Sequence, residues 1–202
     1  GLDIKYLIVY SAGKTGVYRK DGSKYQKENT DINSYSPANP ELISEPDDSN
    51  YIFYTSGSTG IAKAILGCHK GLGHFINWEI EEFGLNNTCT SSFLSQFTFD
   101  ASLRDIFIPL CAGGTLCIPS AETKTNTILL LEWINENNIS LVHCVPSLFR
   151  LMVKELESFN YRENIAQHLQ YILMAGEPLY VKDINNWRTL MGDKTELVNL
   201  YG

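Results

Sequence analysis

The sequence predicts an α/β fold, a layered and mostly parallel sheet flanked by helices, and three observations point there. From residue 50 onward, short runs rich in β-branched and aromatic residues alternate with amphipathic stretches of helical period, the succession that βαβ units produce. Several of the short runs, such as "SLVHCV" and "QYILMAG", are apolar with little alternation, as expected of strands buried on both faces. The connections between them have the ordinary length of crossovers, so ligands are expected at the carboxyl ends of the strands.

Taken in order, "NYIFYT" (50–55) reads as a strand and "KAILGCH" (63–69) as its partner across a Gly/Ser/Thr turn. Leu72, Phe75, Ile76, Ile80 and Phe83 then recur at helical spacing, with Gly84 as a C-terminal stop. Strand-like "TSSFLSQF" (90–97) leads to a helix over 100–111, and the pair Gly113 and Gly114 turns the chain into strand "TLCIP". A helix over 126–138 runs into strand "SLVHCV". Pro146 stands where the next helix begins, with Leu148, Leu151, Met152 and Leu156 as its apolar face. The pattern repeats as strand "QYILMAG", helix "YVKDINNWRTLM" and strand "ELVNLYG". Residues 11–50, rich in Ser, Asn, Asp, Lys and Pro and with little periodicity, are expected to be an exposed connecting region. The expected division is therefore a connecting region over 1–49 and one domain over 50–202. The chain opens on Gly1 and stops where a strand-like run has just reached a turn, so a fragment is expected.

Composition removes several functions. With 202 residues and 44% hydrophobic content the chain can build one substantial core. A net charge of −7, from 16 Lys+Arg against 23 Asp+Glu, offers no basic face to nucleic acid or to an anionic membrane. The longest apolar stretch, "IFIPLCAGGTLCIP", is cut by Pro109, a glycine pair and Pro119, short of the ~20 residues that cross a bilayer. No secretory segment opens the chain. The five cysteines are odd in number, lack C-x-x-C spacing and sit mostly among apolar neighbours, which fits a reduced, cytoplasmic setting. His69, His74, His143 and His168 form no metal-ligand pattern, so no protein-held metal is expected. Trp78, Trp133 and Trp187 fall in helical segments as core or boundary residues, Ser147 lacks a G-x-S-x-G context, and Glu79, Glu81 and Glu82 read as a solvated helix face.

The chemistry concentrates in "YTSGSTGIAK", residues 54–63. Gly57 and Gly60 let main-chain N–H groups converge without side chains in the way, a concavity suited to an anion. Thr55, Ser56, Ser58 and Thr59 add hydroxyls, and Lys63 adds a mobile cation able to follow a phosphate. Composition alone favours a plain hairpin loop. Its position directly between two strand-like runs, and a lysine three residues after the last glycine, favour a polyphosphate cradle. It is not a Walker A loop, where lysine follows glycine directly.

The stretch resembles the phosphate-loop signature of adenylate-forming enzymes, Y-T-S-G-(S/T)-T-G-x-P-K-G. The resemblance extends through "FTFDAS" (97–102), "VPS" (145–147), "AGEPL" (175–179) and "NLYG" (199–202), in the order and spacing of nonribosomal peptide synthetase adenylation domains. It implies the large N-terminal domain, in part, of an enzyme that activates an amino acid carboxylate with MgATP and passes the aminoacyl group to the phosphopantetheine thiol of a peptidyl carrier domain. Alternatives within the superfamily are an aminoadipate-reductase-type domain, which "GHFINWE" and "RDIFIPL" keep open, and an acyl-CoA ligase. Outside it stands a non-catalytic nucleotide-binding module.

By this resemblance, Lys63 and Thr59 would be catalytic. Thr55, Ser56, Gly57, Ser58, Thr59, Gly60 and Lys63 would hold the phosphates, and Gly176, Glu177, Asn199, Tyr201 and Gly202 the rest of ATP, with Tyr201 stacked on adenine and Mg2+ arriving with the nucleotide. Asp100 would pair with the substrate ammonium, although an Asp at that place also reads as a helix cap. Ala101, Arg104, Cys144, Leu173, Ala175 and Leu200 would line the side-chain pocket. Arg104 there suits a polar or acidic side chain, or else it pairs with a surface carboxylate. The family's proline and glycine flanking the lysine are Ala62 and Ala64 here. The chain also stops before the family's Mg-binding glutamate and its small C-terminal domain, so by resemblance this piece alone is expected to be inactive.

Overall fold

The computed structural model describes residues 6–11, 14–21, 24–28, 36, 38, 44–55, 62–158 and 166–200. The chain divides into two compact units, Gly1–Ser44 and Glu45–Gly202.

In the first unit, β1 (Tyr6–Ser11), β2 (Lys14–Asp21) and β3 (Lys24–Glu28) form an antiparallel meander in that order. Tyr6 pairs with Arg19 and Val17 with Glu28. Regular structure here departs from the unpatterned connector expected of 11–50. Charged residues fall along both β2 and β3, and with so little alternation the sequence carries no strand signal.

The second unit opens with a hairpin of β4 (Ser49–Thr55) and β5 (Lys63–Cys68), which places Thr55 directly opposite Lys63. A Cβ at Gly67 would fall inside the Tyr51 ring, so only glycine fits beside that tyrosine. Helix α1 (His69–Glu82) follows and ends at Gly84, whose φ of +58° is a left-handed stop. Then come β6 (Thr90–Ser92), α2 (Ala101–Cys111), β7 (Thr115–Cys117), the short α3 (Ala121–Thr125), α4 (Thr127–Glu136) and β8 (Leu141–Cys144). The unit closes with α5 (Pro146–Ser158), β9 (Tyr171–Met174), α6 (Val181–Met191) and β10 (Glu196–Asn199). Asn126 joins α3 to α4 by turning its Oδ1 onto the N–H groups of Ile128 and Leu129, at 3.0 and 3.3 Å.

Strands β10-β9-β8-β6-β7 make a five-stranded, wholly parallel sheet in that order. The period of two along each strand sorts side chains to opposite faces. On one face Val142, Ile172 and Met174 pack with Leu130, Phe149, Met152 and Trp187 of α4, α5 and α6. On the other, Leu141 and Leu173 pack with Ile76 of α1 and Ile108 of α2. His143 is two residues beyond Leu141, so it falls on this second face, between α1 and α2. Glu79 lies there as well, fully buried, which corrects the solvated face expected of it; Glu81 and Glu82 on the same helix are exposed.

The strand order locates the site. From β6 the chain moves to β7 on one side, then crosses back past β6 to β8, β9 and β10 on the other. Loops leaving the carboxyl ends of β6 and β8 therefore diverge, and a crevice opens between them.

Candidate functional site

A cavity of about 810 Å³ opens at that point. Its walls are the segment after β6 (Ser95, Gln96, Phe99, Asp100), the first turn of α2 (Ala101, Leu103, Arg104) and the tips after β8 and β9 (Val145, Ala175, Gly176, Glu177). Tyr51 and the Leu72 and Phe75 face of α1 complete it. Side chains that are far apart in sequence meet here because the segments after β6, β8 and β9 and the start of α2 all lie at the carboxyl ends of the parallel strands, where Tyr51 of β4 and one face of α1 join them.

Asp100 stands just before α2 in a helical conformation, φ −60° and ψ −29°, and its side chain makes no capping hydrogen bond. An N-cap residue normally takes extended dihedrals so that its side chain can reach the following N–H groups. Asp100 does not, so its carboxylate is left to the cavity.

Arg104 lies one turn further along α2. Its Nε is 3.4 Å from Oε2 of Glu79, and its guanidinium carbon is 5.7 Å from the Phe75 ring centroid. The expected alternative partner, a surface carboxylate, is instead one that water does not reach. Glu79 Oε1 lies 2.5 Å from His143 Nε2, and His143 Nδ1 is 3.0 Å from Asp105 Oδ1. Asp105 Oδ2 accepts the backbone N–H groups of Leu94 and Ser95, at 3.2 and 3.0 Å, and so ties the cavity wall to α2. Glu79 and Asp105 fall within "GHFINWE" and "RDIFIPL", stretches that carry a family resemblance but give neither residue a role, and no short motif marks His143. Beyond that, their sequence signal is polarity at positions whose period places them on the core face.

Glu177 is fixed at the opposite wall. Its two carboxylate oxygens accept the N–H and the hydroxyl of Ser147, at 2.8 and 2.9 Å, at the start of α5. Favourable charge at a helix N-terminus adds to these bonds. Arg150 approaches Glu177 at 3.5 Å and Asp183 at 3.3 Å. Gly176 adopts φ +87°, a conformation that turns the chain between Ala175 and Glu177.

Asp100, expected to meet the substrate ammonium, shares this cavity with Ala101, Arg104 and Ala175 of the expected side-chain pocket. Leu173 is fully buried against α1 and α2, and Leu200 packs on the same core. Cys144 ends β8, and burial pushes its thiol up to about 12, with Asp105 as the next contributor. Thr55 and Lys63 face each other, exposed, at the two ends of the hairpin loop. Asn199 is exposed at the end of β10. Ser56, Gly57, Ser58, Thr59, Gly60, Tyr201 and Gly202 lie outside the described residues. Among the described residues, no group of three His, Cys, Asp or Glu is arranged to hold a metal ion, and no helix is long and apolar enough to cross a membrane.

The fold has counterparts among solved structures. The crystal structure of the nonribosomal peptide synthetase FmoA3 in its AMPPNP-bound form superposes with a TM-score of 0.76 at 25% identity, over 86% of this chain and 18% of that one. In sequence, the L-proline--[L-prolyl-carrier protein] ligase of Pseudomonas fluorescens is 32% identical over 171 residues, 85% of this chain. Surfactin synthase subunit 2 of Bacillus subtilis is 30% identical over 198 residues, 98% of this chain. The chain spans 34% of the length of the first and 5% of the second. The family model described as AMP-binding enzyme matches residues 6–202. The chain belongs to the AMP-binding enzyme family.

Proposed function

We propose that the protein containing this chain activates an amino acid as its acyl adenylate and delivers it to a carrier-protein thiol, and that the cavity beside Asp100 receives the amino acid. The observation that carries this reading is a carboxylate at the switch point of a parallel sheet, lining the cavity and not used as a helix cap. A substrate ammonium leaving water needs such a partner, because an unpaired buried charge costs about 3–5 kcal/mol. The prolyl ligase, whose name includes its carrier protein, supports the carrier-linked part of this reading.

In the reaction, a carboxylate oxygen of the substrate forms a bond to the α-phosphorus of ATP, and the bond to the pyrophosphate oxygen breaks. The carrier thiol then displaces AMP from the acyl carbon. Lys63 and Thr55, exposed at the two ends of the glycine-serine loop, offer an ammonium and a hydroxyl, a donor set that fits polyphosphate. Thr59 and the rest of the loop would add donors, and Mg2+ arriving with ATP would offset the phosphate charge. Gly176 and Glu177, held by Ser147, would border the nucleotide. The carrier's phosphopantetheine would supply the nucleophilic sulfur.

Amino acid-dependent exchange of labelled pyrophosphate into ATP tests the proposal. Lys63→Ala should raise the KM for ATP with every substrate. Asp100→Ala should harm α-amino acids more than their des-amino analogues. Equal damage to both classes overturns the role given to Asp100.

A further inference from the structure

Beneath the cavity lies a charge cluster that the reaction outlined above does not use. It runs from Arg104 through Glu79 and His143 to Asp105, with separations of 3.4, 2.5 and 3.0 Å. Glu79 and Asp105 are wholly buried, and His143 is 3% exposed. Arg104 alone of the four lines the cavity. Glu79 Oε2 and Arg104 Nε face each other without a well-formed hydrogen bond, and neither has another partner among the described residues.

The charges can be summed within ion-pair distance. His143 faces a carboxylate on each ring nitrogen and donates to both only as imidazolium, so two positive charges, Arg104 and His143, stand against two negative ones, Glu79 and Asp105. The total is zero, and the cavity floor offers no net cation. Lys124, whose ammonium rests 4.4 Å from the Phe93 ring centroid, feels the charge of Asp105 but forms no ion pair among the described residues. Glu79 cannot leave Arg104 for solvent, because it is enclosed and bonded to His143.

From this arrangement we infer that the Arg104 end of the cavity selects an uncharged side chain carrying a hydrogen-bond acceptor, and that Glu79 is the positioning residue that sets this preference. The inference rests on the adenylation reading and narrows its substrate class. It also narrows the expectation of a polar or acidic side chain at Arg104 to the uncharged polar class. A substrate carboxylate would bring a second anion to a guanidinium already balanced by Glu79, with no counter-charge to offset its desolvation. An apolar side chain would leave guanidinium N–H donors facing it unsatisfied. A carbonyl or hydroxyl oxygen accepts from the fork and adds no charge.

The test is pyrophosphate exchange by the full protein with two near-isosteric sets: L-asparagine, L-aspartate and L-leucine, then L-glutamine, L-glutamate and L-methionine. In at least one set the amide should exceed both the acid and the apolar member in kcat/KM, by about 10- to 100-fold. Glu79→Gln keeps the shape and removes one negative charge. It should move the acid-to-amide ratio toward the acid by about tenfold or more, chiefly through KM, with Glu79→Asp remaining near the parent ratio. A purely structural role would lower all substrates together.

Should Glu79→Gln fail to fold by circular dichroism, Arg104→Gln serves instead and should bring amide and apolar members within a few-fold of each other. The inference is overturned if the acid or the apolar member leads in both sets. It is also overturned if a folded Glu79→Gln leaves the ratio unmoved, or if the amide preference survives Arg104→Gln. Exchange with no α-amino acid at all refutes the adenylation reading and this inference with it, whereas amino acid exchange that favours acids refutes the inference alone.

Discussion

Replacing Asp105 by alanine removes three interactions at once. One oxygen faces His143 Nδ1 at 3.0 Å, and the other takes the N–H groups of Leu94 and Ser95. All of this happens at a fully buried position. Breaking a buried charged pair by deleting one partner costs about 3–5 kcal/mol, because the other partner stays behind without compensation. Domains of this kind have about 5–15 kcal/mol in total, so the variant should sit near its stability limit, with a midpoint lower by about 6–20 °C. Asp105→Asn keeps an oxygen for the two backbone donors and should lose about 1–2 kcal/mol, the scale of one altered hydrogen bond. Urea unfolding followed by both circular dichroism and tryptophan fluorescence gives the comparison, since Trp187 lies at the centre of the core. A loss below about 1 kcal/mol for Asp105→Ala, with an unchanged denaturant slope, would refute the view that this carboxylate holds the cavity wall to α2.

Two further outcomes are expected. Gly176→Ala meets ordinary contact, 3.9 Å to Val145, but φ +87° strains any side chain, so it should cost about 1–2 kcal/mol and also weaken exchange by displacing Glu177; thermal melts together with exchange rates check this, and an unchanged melt contradicts it. The Cys144 thiol, pushed up to about 12, stays protonated in the folded protein across pH 8–10, whereas its unfolded counterpart ionises around its ordinary value of 9.0. The stability tied to it is complete below about 9 and is lost as pH rises toward 12. Iodoacetamide at pH 8.5 should therefore label exposed Cys111 well ahead of the part-buried Cys144, with urea removing the difference; labelling of Cys144 at the Cys111 rate in native protein would contradict this.

How far the sequence could be read depends on the range of the interaction concerned. Helix α1 was legible because Leu72, Phe75, Ile76 and Ile80 repeat within a few residues, and its end because Gly84 must adopt positive φ. Glu79 on the same helix was not, because its burial depends on a histidine 64 positions away. The strand expected over 90–97 stops at Ser92 since the N–H groups of Leu94 and Ser95 turn to Asp105 rather than to a neighbouring strand. Asp100 was found through its motif, and its freedom from capping needed dihedral angles. The meander over 6–28 gave no periodic signal, and strand order, which places the cavity, is a property of pairing that no local window contains.

The crossing from β7 back past β6 also dictates a timetable for synthesis. As the chain leaves the ribosome, β6 can pair with β7 within a few dozen residues, but its other edge must wait for β8, which reaches it through bonds between Thr90 and Ser140. In that interval a bare strand edge stands open, and Glu79 and Asp105 lack the histidine that joins them. Until β8 emerges, that edge is where a nascent chain of this protein stands open to pairing with another.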